Sequence, residues 1–138
     1  MNRILALDFG LRRTGVAVTD EMNIIASGLT TVDSRDLMTY LQAEIPKLGV
    51  GTIVLGEPKR LNNEDTHSSE NVRQLKIALE KNFPLQKVVM VDERFTSKMA
   101  FQTMIDSGLK KKQRRNKAMV DEISATLILQ SYMQSTGI

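Results

Sequence analysis

Cysteine and tryptophan are both missing from this chain of 138 residues. Without thiols it has no disulfide framework, no thiolate metal centre and no catalytic cysteine, and it suits a reducing, cytoplasmic setting. Aromatic residues make up only 4% of it, four Phe and two Tyr. Stacking of splayed bases on rings is therefore not expected to dominate any recognition of nucleic acid, and shape and backbone contact take its place. Long apolar runs are also lacking. The opening MNRILALDFG meets an aspartate at position 8, too soon for a secretory leader. No later run approaches the roughly 20 apolar residues that a bilayer crossing needs, so no membrane partner is expected. The one histidine, His67, lies in a polar stretch and is set aside as solvated.

Charge is present but unevenly spread. The net charge is +3, and six of the 19 basic residues fall in KKKQRRNK at 110–117, leaving 13 against 16 acidic residues elsewhere. The basic character therefore sits in one segment, made of Lys110, Lys111, Lys112, Arg114, Arg115 and Lys117, on a slightly acidic body. Such a cluster is either a solvated loop or a contact to a phosphate backbone, which gains from counterion release. Composition leaves the two open.

Apolar periodicity predicts the elements in order. RILALD (3–8), GVAVT (15–19) and IIASGLTTV (24–32) read as three strands with short connections, an antiparallel meander. Asp33 or Ser34 can cap a helix with Leu37, Tyr40, Leu41, Ile45 and Leu48 at helical spacing. TIVLGE (52–57) is a buried-type strand, and the polar stretch after it reads as a loop. A helix with Val72, Leu75, Leu79 and Phe83 as its stripe leads to the strand KVVMVDE (87–93). Thr96 opens a further helix that Gly108 stops, and AMVDEISATLILQSYM forms the last one. Three meandering strands followed by alternating strands and helices predict an α/β domain spanning 1–138. Its sheet is mixed and five-stranded, with helices on both faces.

Three acidic positions can be delivered to one edge of such a sheet. Asp8 ends the first strand, Glu93 ends the last, and Asp121 lies near the start of the final helix. Hydrolysis of a phosphodiester needs a deprotonated water and neutralisation of charge at phosphorus. Divalent ions held by carboxylates from separate elements supply both, and Mg²⁺ or Mn²⁺ suits oxygen ligands. Ser124, Ala125, Ile128 and Tyr132 share a face with Asp121, which points it toward the sheet. Helix phase does not choose between Asp121 and Glu122, nor strand alternation between Asp92 and Glu93. In DFGLRRTG, Gly10 and Gly15 bracket a tight turn whose amides could cradle a phosphate, with Arg12 and Arg13 at its tip.

Four segments together, LALDFGLRRTGVAVTD, TIVLGEP with Asn63 after it, VDERFTSKMA and KAMVDEISATLILQSYM, resemble the YqgF family. These RuvX-type proteins are described as Holliday-junction-resolvase-like nucleases and as pre-ribosomal-RNA nucleases. The resemblance spans essentially the whole chain. It implies an RNase H-like fold and metal-dependent cleavage of structured RNA or branched DNA, with one or two Mg²⁺ or Mn²⁺ ions. It assigns Asp8, Glu93 and Asp121 as the ligands, which settles the two ambiguities above, and it gives Arg94 a carboxylate-holding or phosphate-contacting role. The chain departs from the family at Gly56-Glu57-Pro58, where an aliphatic residue is usual. Glu57 is thus a possible extra ligand or a harmless rim charge, and Asn62 and Asn63 are candidate substrate contacts. Pre-16S rRNA is the substrate that the resemblance favours, with a four-way DNA junction as the alternative. Two further readings compete: a nucleic-acid-binding module without catalysis, and a phosphate-binding remnant of ATPase type. Monomer and homodimer both remain open, and a symmetric junction would be better matched by a dimer.

Overall fold

A computed structural model of the chain describes residues 2–57, 69–92 and 117–136. In β1 (Arg3–Phe9), Ile4, Leu5, Ala6 and Leu7 follow one another without a polar residue, so both faces of this strand need cover. All four are buried. β2 (Arg13–Thr19) returns antiparallel to β1, with Leu7 opposite Val16 and Asp8 opposite Gly15. β3 (Ala26–Asp33) pairs antiparallel with β2 and forms an outer edge. On the other side of β1, β4 (Val50–Glu57) and β5 (Lys87–Asp92) run parallel to it and to each other. The order β3-β2-β1-β4-β5 makes the expected mixed five-stranded sheet, with β1 at its centre.

Strand alternation sorts the side chains into two layers. Leu5, Leu7, Val16, Ile53 and Leu55 face α1 (Leu37–Leu48) and α2 (Ser69–Asn82), which contribute Leu37, Leu41, Ile45, Val72 and Leu79. Ile4, Ala6, Ala17 and Val54 face α3 (Lys117–Thr136), whose Ala125, Ile128, Leu129 and Met133 complete the second layer. Each fully buried Leu or Ile contributes about 1.5–3 kcal/mol of transfer free energy, so both layers hold the sheet firmly. Helices on both faces, and the stripes that place them there, agree with the sequence. Among the described residues no helix is long and apolar enough to cross a membrane. The helix expected from Thr96 to Gly108 lies outside the described residues.

Two local expectations are corrected. β3 starts at Ala26 rather than Ile24, because the Asp20 carboxylate accepts the N–H groups of both Ile24 (2.7 Å) and Ile25 (3.0 Å). Those amides close a turn instead of joining a ladder, and Ile24 and Ile25 stay 68% and 60% exposed. Asn23 holds the turn's left-handed residue (φ 55°), a conformation Asn tolerates, with its amide on the Thr19 hydroxyl and the Asn2 carbonyl. The amides of Ile25 and Ile24 keep the Asp20 carboxyl below its ordinary pKa. Its contribution to stability is therefore present above the unfolded-state pKa and lost as pH falls through the depressed folded value. A carboxyl-carbon NMR titration should show Asp20 protonating below the ordinary aspartate value.

The second correction concerns the start of α1. Neither Asp33 nor Ser34 caps it; a single 3-10 turn, Ser34–Asp36, comes first, and Asp33 makes no capping bond. The Ser34 hydroxyl is used elsewhere. It donates to the Gly10 carbonyl and receives the Thr14 hydroxyl at 2.9 Å, while the Ser34 amide donates to the Arg12 carbonyl at 2.9 Å. The β1–β2 hairpin is thereby fastened to the end of β3.

Candidate active site

Asp8 is the next α3-facing residue of β1 after Ile4 and Ala6, and it emerges where the strand leaves the core. Its cross-strand partner is Gly15. A Cβ placed on Gly15 would lie 2.0 Å from the Asp121 carbonyl oxygen and 3.1 Å from the Asp121 Cβ. The second turn of α3 therefore rests directly on the backbone of β2, at the one position where β2 has no side chain on that face. Directly opposed strand residues have their Cβ atoms about 4.5–5.5 Å apart. The two carboxylates thus leave neighbouring points of one surface, Asp8 from the strand and Asp121 from the helix above its neighbour.

Gly15 belongs to the second strand, as expected, but does not border the turn. It lies inside β2, which begins at Arg13. The amide of Gly10 is likewise committed, donating to the Arg13 carbonyl at 2.9 Å, so that glycine has no amide left to cradle a phosphate. Gly28 on β3 marks where the neighbouring helical residue goes: a Cβ there would meet the Cβ of Glu122 at 3.4 Å. Glu122 thus lies over the edge strand, two strands from Asp8, while Asp121 lies over β2. That is the choice helix phase left open.

Arg13 shares the α3 face of β2 with Gly15 and Ala17, one step nearer the rim. Its Nε donates to Asp121 Oδ2 at 3.1 Å, with the two side chains 34% and 25% exposed. Arg12 points to the tip of the hairpin. With Leu11, Asp33 and Arg35 it lines a shallow depression of about 300 Å³. Arg35 was missed in the sequence because it sits in what reads as a helix cap. Its approach to Asp33 is long (3.7 Å) and largely exposed, so the pair contributes little to stability.

Glu57 falls elsewhere. Ile53 and Leu55 belong to the α1 and α2 layer and Val54 to the α3 layer, so alternation puts Glu57 on the side away from Asp8. Asp8 and Asp121 are thus brought together, and Glu57 is not brought to their face. Glu93, Arg94, Asn63, Lys110, Lys111, Lys112, Arg114 and Arg115 lie outside the described residues. Lys117 opens α3, and its side chain lies outside them too. Among the described residues no three metal-ligating side chains converge. The two carboxylates nevertheless fit Mg²⁺ or Mn²⁺, because such ions are commonly held by only one or two protein carboxylates together with substrate oxygens and water.

The sheet order, with a central strand and a crossing helix each delivering a carboxylate to one face, defines an α/β protein of the RNase H-like class. The chain belongs to the family described as RuvX, Holliday junction resolvase, whose profile matches residues 2–135. It is 56% identical over 133 residues to a protein of Flavobacterium psychrophilum, covering 96% of this chain and 97% of that one. To a protein of Bacteroides thetaiotaomicron it is 49% identical over 135 residues, covering 98% of each. Both relatives are named, provisionally, as pre-16S rRNA nucleases. Among solved structures, the Fowlpox virus resolvase bound to Holliday junction DNA matches with a TM-score of 0.64 at 14% identity, over 97% of this chain and 98% of that one. Thermus thermophilus RuvC with its junction substrate matches at 0.58 and 13%, over 99% and 97%. At such identities the likeness is one of fold.

Proposed function

We propose that this chain is a metal-dependent endonuclease of structured nucleic acid, and that its substrate is the end of a ribosomal precursor RNA. The observation that carries the proposal is the seating of Asp121 on Gly15, which gathers two carboxylates on one face beside the central strand's end. Glu93 is the third member of the set. Val91 lies in the α3 layer and Met90 in the other, so alternation turns Asp92 away from the face of Asp8, which supports the glutamate of the motif over Asp92. The precursor-RNA reading rests on the names of relatives about half identical over nearly the full chain, and it goes with a cytoplasmic location. The family's description favours a second reading, a branched DNA junction.

Asp8, Asp121 and Glu93 would hold Mg²⁺ or Mn²⁺, which supplies charge neutralisation at phosphorus and acidity for the attacking water. The chain's own residues bind and orient. Arg12 and Arg35 at the hairpin tip, with Arg13, Arg94, Asn63 and the basic segment 110–117, contact the sugar-phosphate backbone and set its register. Glu57 is left out of the ligand set.

The test is cleavage of two labelled substrates, a ribosomal precursor RNA end and a four-way DNA junction. Wild type and Asp8→Asn are run with Mg²⁺, with Mn²⁺ and with chelator. Metal-dependent cutting of the RNA, absent in the variant, is expected. Cutting of the junction alone would replace RNA by DNA, and cutting in chelator would remove the metal from the mechanism. A double replacement, Arg12→Gln with Arg35→Gln, should leave the cleavage chemistry intact while weakening binding. The slope of log affinity against log salt should flatten by about 1.4–1.8 if two phosphate contacts are lost.

A further inference from the structure

The pair of Arg13 and Asp121 has a second use. A single part-buried ion pair adds only modestly to stability, yet this one joins residues 108 apart in sequence, and one of them is a proposed ligand. Arg13 reaches the carboxylate through Nε alone. Among the described residues its terminal nitrogens have no hydrogen-bonding partner. A guanidinium has five donors in a planar fork, and the outer pair matches two oxygens of a phosphate. Arg13 also stands two residues nearer the hairpin tip than Gly15, the partner of Asp8.

We propose that Arg13 is a positioning residue that joins the metal site to the substrate, holding Asp121 by Nε and a substrate phosphate by its terminal nitrogens. This rests on the reading of Asp8 and Asp121 as metal ligands. In the protein without nucleic acid, the guanidinium shares the negative charge of Asp121, so a divalent cation must compete with it. A bound phosphate draws the guanidinium's charge to itself and leaves more of the carboxylate's charge for the metal. Lysine cannot replace it, because a single ammonium is a point charge without a fork.

The sign of one binding change separates this from a purely structural contact. Removing a partner that merely orients a ligand weakens metal binding, by about 10–100-fold. Removing a competing cation strengthens it. The experiment is calorimetric titration of the full chain with Mn²⁺, without nucleic acid, for wild type, Arg13→Gln, Arg13→Lys and Asp8→Asn. Binding of the precursor RNA end and the four-way junction in chelator is followed across a salt series. Arg13→Gln should bind Mn²⁺ about threefold to fivefold more tightly. Its salt slope should flatten by about 0.7–0.9, one phosphate contact. Arg13→Lys should keep the wild-type Mn²⁺ affinity but bind nucleic acid less tightly than wild type.

Unchanged or weaker Mn²⁺ binding by Arg13→Gln, with Asp8→Asn losing it, would overturn the role of Arg13 and leave the metal-site reading standing. So would lysine supporting full nucleic-acid affinity. If wild type takes up no Mn²⁺, or Asp8→Asn takes it up as well as wild type does, the metal-site reading falls and this inference falls with it.

Discussion

Replacing Gly15 by alanine should cost the enzyme both stability and most of its cleavage activity, through one methyl group. The new Cβ would sit 2.0 Å from the Asp121 carbonyl oxygen, whereas even a weak C–H···O contact is about 3.3–3.6 Å long. Backbone lies on both sides of the clash, so no side chain can turn away. The second turn of α3 must lift by more than 1 Å, roughly, or β2 must sink into a close-packed layer. Forced overpacking of this kind costs about 1–3 kcal/mol, a fall of several degrees in Tm for a domain this size. Lifting the turn also carries Asp121 away from Asp8, and a misplacement of about 1 Å is worth roughly a hundredfold in rate. The control is Gly28→Ala, under the same helix, where the nearest atoms lie at an ordinary 3.4 Å. That variant should melt and cut much as wild type does. Equal behaviour of the two variants would mean that α3 is not seated on Gly15 in solution.

Asp8→Asn should have the opposite pairing of effects, with activity lost and the metal-free fold undisturbed. Several kcal/mol of transition-state stabilisation is a reasonable share for a metal ligand, so the rate should fall about 10³-fold or more. The side chain keeps its shape and sits at the strand's rim, outside the apolar layers. Two carboxylates gathered on one face also repel, and removing one charge relieves that repulsion. Thermal unfolding in chelator should therefore find the variant folded, with a cooperative transition like that of wild type. With Mg²⁺ at about 100 times its dissociation constant, wild type should gain about 2.7 kcal/mol, and the variant should gain none. A wild-type response to Mg²⁺ in Asp8→Asn would take Asp8 out of the metal site whatever happens to cleavage.

Much of this was legible in the residues. The runs in β1 and β4 and the stripes of α1 and α2 announce their burial, because apolar period alone decides which face goes inward. What failed were positions where a polar group intervenes from elsewhere. Ile24 and Ile25 read as strand, but the Asp20 carboxylate takes the amides a ladder would need. Ser34 reads as a helix cap, but its hydroxyl is drawn to Gly10 and Thr14. Gly15 reads as the first residue of a strand, and nothing local says that a helix about a hundred residues later will rest on it. The same holds at the site. Asp121 and Glu122 both have apolar neighbours at helical spacing, and only the crossing of α3 over β2 and β3 parts them. Glu57 could not be assigned until the facing of β4 was known. Arg13 was visible as a cation, and its partner was not.

The helix that packs against all five strands of the sheet is also the last of the described elements to leave the ribosome. Until it emerges, Ile4, Ala6, Ala17 and Val54 have no apolar cover from α3, and Asp8 has no Asp121 beside it. Contacts of such long sequence separation form late and slowly. A nascent chain with all five strands already made would still be catalytically incomplete. For an enzyme proposed to cut the RNA of the particle that synthesises it, the order of the chain would itself delay activity until this helix has emerged.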